Sequence, residues 1–361
     1  LDTHLSGSIE LSQMVLASFA AGAGIGLLVF GELGSRFSQH RLILFSLSVY
    51  CAASIVATLA ESMLQLVVVR FFQGFAASAP AVFAPGMVRA LFDDRRAMRA
   101  MGLMGSLESL VPAFAPILGA WLISQYHWQA TFYVTAAAAL LLIFGWLIKR
   151  PPVNTNVQAV TLSYLELIRK PLFFRYALSH ALTLGGLIAF VFGAPTVIVH
   201  SMGGSLSDFI VMQIAGISLF MVCANTAHLL SDRIGRESTI ILGSTLAVAG
   251  SGSMLIYAYL FENHTPVVLW VLFALMNMGV GIRGPGGFFM AMYASGNNDS
   301  KAAAVVMLSV FLIAAGTTTI VAPYITMGLL PLAGITTVIC AASLLVLRLM
   351  PGVPEGEFKE I

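Results

Sequence analysis

The sequence predicts an all-α membrane protein with about eleven spanning helices, and three observations predict it. Of the 361 residues, 58% are hydrophobic and only 9% are charged, with a mean hydropathy of +0.92. Soluble domains carry roughly 25% charged residues, so lipid is the expected solvent for most of this surface. Apolar runs long enough to cross a bilayer, about 20 residues each, recur along the whole chain. Basic residues, finally, are confined to alternate connections between those runs.

The runs fall near 11–31, 42–60, 64–92, 100–124, 130–148, 175–199, 208–230, 239–261, 266–293, 302–327 and 330–348. Between the fifth and sixth lies the polar stretch "KRPPVNTNVQAVTLSYLELIRKPLFFR" (149–175), expected to be a linker. Within it, Tyr164 to Arg169 has the makings of a short helix lying on the membrane surface. Alternating topology puts 16 of the 18 basic residues on one side; the other two, Arg70 and Arg283, lie inside spans. The opposite side shows Asp2, Glu61, His127, Asp208, Glu262 and His264 instead. By the positive-inside rule the linker and the C-terminus are cytoplasmic and Leu1 is outside, in an inner (plasma) membrane. Leu1 to Glu10 has no basic n-region and the chain does not begin with Met, so no cleavable signal peptide is expected.

A net charge of +2 gives no reason to expect nucleic acid as a partner. Cys51, Cys223 and Cys340 each sit in an apolar run, as buried hydrophobes rather than disulfide or metal ligands. No phosphate loop, His/Cys metal cluster or catalytic triad signature occurs in the sequence. The expectation is therefore a non-enzyme without metal or cofactor, driven by an ion gradient rather than by ATP.

Five spans precede the linker and six follow it, giving an N-terminal bundle (1–148), a linker (149–175) and a C-terminal bundle (176–361). The halves share local features. "GELGSRFSQHR" (31–41) follows the first span, and "HLLSDRIGRES" (228–238) follows the second span after the linker. "APGMVRALF" (84–92) and "GPGGFFMAMY" (284–293) close corresponding spans, each with a Pro-Gly. Two copies of a six-span unit would make twelve helices with both termini inside. Here the first copy starts outside, one helix short, as if the first helix were absent from this sequence.

On these residues the chain resembles the major facilitator superfamily, and within it the twelve-helix drug:proton antiporters. The loop signature G-x-L-x-D-R-x-G-R-K is met in the second half by Leu230, Asp232, Arg233, Gly235 and Arg236. In the first half Gly31, Leu33 and Arg36 match, but Ser35 replaces the Asp, and Ser38, Gln39 and His40 replace Gly-Arg-Lys. The fourth-helix signature L-x-x-x-R-x-x-Q-G-x-x-A is met by Leu66, Arg70, Gln73, Gly74 and Ala77. The fifth-helix antiporter signature is kept at Gly102, Pro116 and Gly119 and altered to Val111, Ala115 and Ala120. The resemblance implies a two-bundle, proton-coupled transporter, monomeric, with a small-molecule substrate and lipid as its other partners. It also implies that the loop residues work as a conformational switch. Asp232 and Arg233 are expected to matter more than Ser35 and Arg36, because Ser35 offers no counter-ion.

Three ionisable residues lie inside spans, where a charge usually faces a cavity or a partner. Arg70 has Gln73, Gly74 and Ala77 at helical spacing beside it, yet lies close enough to a helix end to snorkel outward. The resemblance implies that this Arg faces the first helix near the pathway and influences proton release. Glu108 is the only carboxylate well inside a span. Low dielectric favours its protonated form, which suits a reversible proton carrier, although a paired structural role is equally open. Arg283 lies at comparable depth in the second half. Two roles are open for it, a gate with Glu108 across the halves or a contact with an anionic substrate group. His180 and His228, near span ends, are expected to be satisfied interfacial side chains.

The expected function is secondary active transport, with proton-coupled efflux of small apolar or cationic compounds by alternating access. The alternatives are proton-coupled transport of an anionic metabolite, or a truncated copy that no longer transports.

Overall fold

The structure is a computed structural model and describes residues 9–149, 162–261 and 265–352. Before the linker run α1 (Ile9–Leu33), α2 (Gln39–Thr58), α3 (Met63–Leu91), α4 (Asp94–Gln125) and α5 (Gln129–Ile148). The short α6 (Tyr164–Ile168) follows. After it come α7 (Pro171–Thr196), α8 (Leu206–Ile234), α9 (Arg236–Leu260), α10 (Pro266–Ala294), α11 (Asp299–Val321) and α12 (Leu329–Leu349). Ten of these helices are long and apolar enough to cross a membrane. The eleventh expected span corresponds to α4, a helix of 32 residues in which Glu108 is the one charged residue beyond Arg99. Most of the expected linker (150–161) lies outside the described residues; the helix expected at its end is α6.

Local chemistry explains where the helices start and stop. Pro171 and Pro266 open α7 and α10 at first-turn positions, where a missing N–H costs nothing. Reciprocal capping boxes start α6 (Ser163 with Glu166) and α8 (Ser205 with Asp208), each satisfying two backbone N–H groups that would otherwise lack partners. Gly235 separates α8 from α9 at φ +86°, a left-handed conformation that side-chain-bearing residues resist.

The chain divides into two compact units. One holds α1–α3, α4 from Phe114 onward, α5 and the start of α11 as far as Leu308. Its spine is the α1–α3 crossing. A Cβ on Gly74 would stand 2.0 Å from the Phe19 carbonyl oxygen, and one on Gly22 equally close to the Phe71 carbonyl. Backbones in such contact gain dispersion energy that no larger residue would permit.

The other unit holds the first turns of α4 (92–113), α6–α10, the remainder of α11 and α12. Its core is apolar and sulfur-rich, with Phe190 stacked on Phe273 at 5.5 Å among buried Met212, Met254 and Met276. Cys51 and Cys340 are buried, as expected, whereas Cys223 is only half-buried; all three are free.

Candidate functional site

Charged side chains gather at the helix ends that carry the basic residues, and two groups of ion pairs join the sequence halves. In the first, the start of α4 meets the turn between α8 and α9. Arg95 Nε lies 2.8 Å from Asp232 Oδ2, with the two side chains 64% and 44% exposed. Arg236 Nη1 lies 2.9 Å from Asp94 Oδ2, and its guanidinium also stands over the Phe289 ring at 5.2 Å. Gly235 turns the chain so that Asp232 closes one helix and Arg236 opens the next, which points both side chains at α4. Arg233 is exposed and makes no ion pair among the described residues.

The second group is built from the start of α11 and the ends of α1 and α3. Lys301 Nζ lies 2.8 Å from Glu32 Oε2 and is almost completely buried. The same ammonium donates to the Leu162 carbonyl at 2.8 Å, tying the end of the linker to this corner. Arg89 pairs with Asp299. Glu32 also accepts from Arg36 Nη2 at 2.7 Å, in the turn that follows α1. Ser35 only turns back to the Glu32 carbonyl (2.7 Å), and Gln39 Nε2 reaches Ser300 Oγ at 3.4 Å. Gly31 is buried near the end of α1.

The sequence reading missed Glu32, Arg89, Asp299 and Lys301. One signal was available: "DRR" (94–96) and "DSK" (299–301) open corresponding helices and place acid and base alike. Ser35 itself offers no counter-ion, and the acid at this corner is Glu32. It stands three residues before Ser35, in the last turn of α1, while Ser35 lies in the turn that follows.

The residues inside the spans are arranged differently from expectation. Arg70 stands over the Phe19 ring at 4.3 Å and donates to Gln73 Oε1 at 3.1 Å. Gln73 is buried and donates in turn to Ser54 Oγ at 2.8 Å. The α1–α3 crossing at Gly74 brings Arg70 and Phe19 together. On α4, Gly102 and Ser106 face α8. A Cβ on Gly102 would stand 2.5 Å from the Ala224 carbonyl oxygen, and Ser106 Oγ accepts from Asn225 Nδ2 at 2.8 Å. Glu108, two residues on, points off that face; it is exposed and makes no ion pair among the described residues. Gly119 has open space around it. Pro116 lies in α4, with its side chain outside the described residues.

The pairing considered for Glu108 and Arg283 is absent from this structure. Arg283 is buried on the opposite account, with Nη1 donating to the Ser179 carbonyl (2.6 Å) and to Thr183 Oγ1 on α7. That geometry also removes it from contact with a substrate in water, since only 1% of it is exposed. His180 is corrected as well. It is buried against Phe288 at 5.3 Å and its Nδ1 has no hydrogen-bond partner, so it is neither interfacial nor satisfied. His228 Nδ1 is likewise without a partner. Among the described residues no group of His, Cys, Asp or Glu is placed to hold a metal ion.

Long apolar helices in two sequence halves, with ion pairs that join one half's helix ends to the other's, mark a multi-pass membrane protein. The chain belongs to the Major Facilitator Superfamily, which it matches over residues 1–323. It is 26% identical over 278 residues to a bicyclomycin resistance protein homolog of Haemophilus influenzae, covering 74% of this chain and 69% of that protein. To the multidrug resistance protein MdtL of Escherichia coli it is 24% identical over 221 residues, which cover 60% of this chain and only 56% of that protein. Among solved structures it is similar to the E. coli fucose:proton symporter, with a TM-score of 0.76 and 16% identity, covering 94% of this chain and 91% of that one. A bacterial homologue of the iron transporter ferroportin in an outward-facing state gives a TM-score of 0.77 at 12% identity, covering 95% and 90%. At such identities the structural likeness establishes the fold.

Proposed function

We propose that this transporter exports small apolar or cationic compounds across the cytoplasmic membrane in exchange for protons. Its basic helix ends and linker are then cytoplasmic, following the one-sided distribution of Lys and Arg. The observation that carries the alternating-access part is the pair of ionic clasps. Each joins a helix start from one sequence half to a helix end from the other, and several of its pairs are solvent-accessible enough to break reversibly. Opening towards the cytoplasm requires releasing both clasps. The relatives named for multidrug and bicyclomycin resistance support export as the direction and drug-like compounds as cargo.

Glu108 is the proposed proton carrier, because it is an exposed carboxylate within an otherwise apolar stretch and no cation neutralises it among the described residues. A carboxylate so placed can be protonated and released as its surroundings alternate between wet and dry. The alternative of an anionic metabolite was favoured by Arg283 and allowed by the altered fifth-helix motif, and the burial of that guanidinium speaks against the first of these.

The test is dye efflux by everted membrane vesicles under an imposed pH gradient. Glu108→Gln should fold, insert and bind the dye as the parent does, while transport loses its dependence on the gradient. Full gradient-driven transport by Glu108→Gln would exclude the residue from coupling.

A further inference from the structure

The ion pair between Arg236 and Asp94 depends on how the first turn of α9 is oriented. A single residue, Gly235, separates α8 from α9, and it carries no side chain to pack. Ion pairs with a solvent-exposed member are weak, and half of Asp94 is exposed, so the pair does not orient the helix by itself. The hold has to come from elsewhere on α9, and the next residue supplies it.

Successive residues of an α-helix point about 100° apart, so Arg236 and Glu237 leave the first turn in different directions. Arg236 goes to Asp94 on α4, and Glu237 goes to α7. Both oxygens of the Glu237 carboxylate are taken there. Oε1 accepts from Arg175 Nη2, and Oε2 accepts from the Tyr176 hydroxyl at 2.6 Å. A carboxylate gripped at two atoms by charged and neutral donors has little freedom to swivel, which fixes the rotation of α9 about its own axis.

The grip is itself anchored. Arg175 and Tyr176 are both buried, and the guanidinium stands over the Tyr176 ring at 4.9 Å. Arg175 Nη2 also donates to the Leu347 carbonyl, 2.7 Å away in the last turn of α12. Past that helix the backbone at Gly352 lies against the same guanidinium, since a Cβ there would stand 3.1 Å from Nη1. The starts of α7 and α9 and the end of α12 therefore meet on one buried cation. The geometry points to Tyr176 and Arg175 as positioning residues for transport, which hold Glu237 and through it set the aim of Arg236 at Asp94. They act through the first turn of α9, not as members of the clasp. When the clasp opens, the start of α4 parts from an α9 that stays fixed to α7 and α12. The inference rests on the proposal that the clasp opens and closes during transport.

Tyr176→Phe keeps the buried ring and removes only the hydroxyl, and a double-mutant cycle with Asp94→Asn separates aiming from packing. Efflux of a cationic dye from everted vesicles should slow about fivefold in Asp94→Asn and about threefold in Tyr176→Phe. The double variant should lose about fivefold, where independent effects would multiply to about fifteenfold. Efflux by Tyr176→Phe should also lose most of its sensitivity to ionic strength, because the exposed clasp is what salt screens in the parent. Should Tyr176→Phe not fold, Glu237→Gln keeps the shape of the side chain and should show the same non-additivity. Multiplying losses, full efflux by Tyr176→Phe, or an undiminished salt dependence would each overturn the proposal. The same cycle read as Tm of the purified chain in detergent needs no transport, and the double variant's shift should fall short of the sum by about 1–2 °C. Such a shortfall supports the aiming even if the parent moves no dye, an outcome that fails the transport reading alone. Additive Tm shifts overturn the aiming whatever the parent transports.

Discussion

The two ionic clasps occupy equivalent places in the two sequence halves, yet they are built from different residues. At the turn between α8 and α9 the charges sit in the loop itself, on Asp232 and Arg236, and their partners Arg95 and Asp94 open α4. At the end of α1 the loop has lost both charges, to Ser35 and Gln39, and the work falls to Glu32 and Arg89 within the flanking helices. The first clasp is wet and the second drier, with Lys301 only 4% exposed where Arg95 is 64%. Attraction between exposed charges is weak and salt-screened, whereas removing one member of a buried pair leaves the other without its compensation. The lesson is that a loop can lack the motif's charges while the ionic contact is kept by neighbouring helix ends, Glu32 on α1 and Arg89 on α3.

That contrast can be broken at graded points. The largest loss is expected from Glu32→Gln, which takes the carboxylate away from the buried Lys301. Destabilisation of about 2–3 kcal/mol should show as a lower Tm, together with at least a tenfold fall in dye efflux. Arg236→Gln should be intermediate, about 1 kcal/mol, because it removes both the pair with Asp94 and the contact with the Phe289 ring. Asp232→Asn should barely move Tm, by less than about 1 kcal/mol, since its pair with Arg95 is exposed. It should nonetheless slow transport, and raising ionic strength should slow the parent towards the same rate. An efflux defect from Asp232→Asn exceeding that from Glu32→Gln would reverse the ranking of the two clasps.

Much of the fold was legible because lipid makes a crude demand: about 20 apolar residues per span and basic residues on one side. The positions of the breaks at Gly235, Pro171 and Pro266 follow from backbone chemistry and could be read locally. The site was less legible, for two physical reasons. Arg89 with Asp299 and Glu32 with Lys301 join residues from opposite ends of the chain, and no local periodicity records such a meeting. The spans are also apolar nearly all round, so spacing does not say which face a lone charge takes. Glu108 and Arg283 matched in depth, and depth alone suggested a pair. Direction separates them: Arg283 turns to α7, while Glu108 has no ion partner among the described residues.

The drier clasp has a further property that follows from the glycine-lined crossing of α1 and α3. Because those two backbones touch, the pair behaves as one stiff beam, and its end carries an acid on one rod and a base on the other. Both engage α11 within three residues, at Asp299 and Lys301, with the signs reversed. A hold at one point would permit swivelling, whereas a hold at two fixes an angle. The reversed signs do more, since exchanging the partners would set Glu32 against Asp299 and Arg89 against Lys301. The corner thus works as a keyed joint, which closes in one orientation and repels the other.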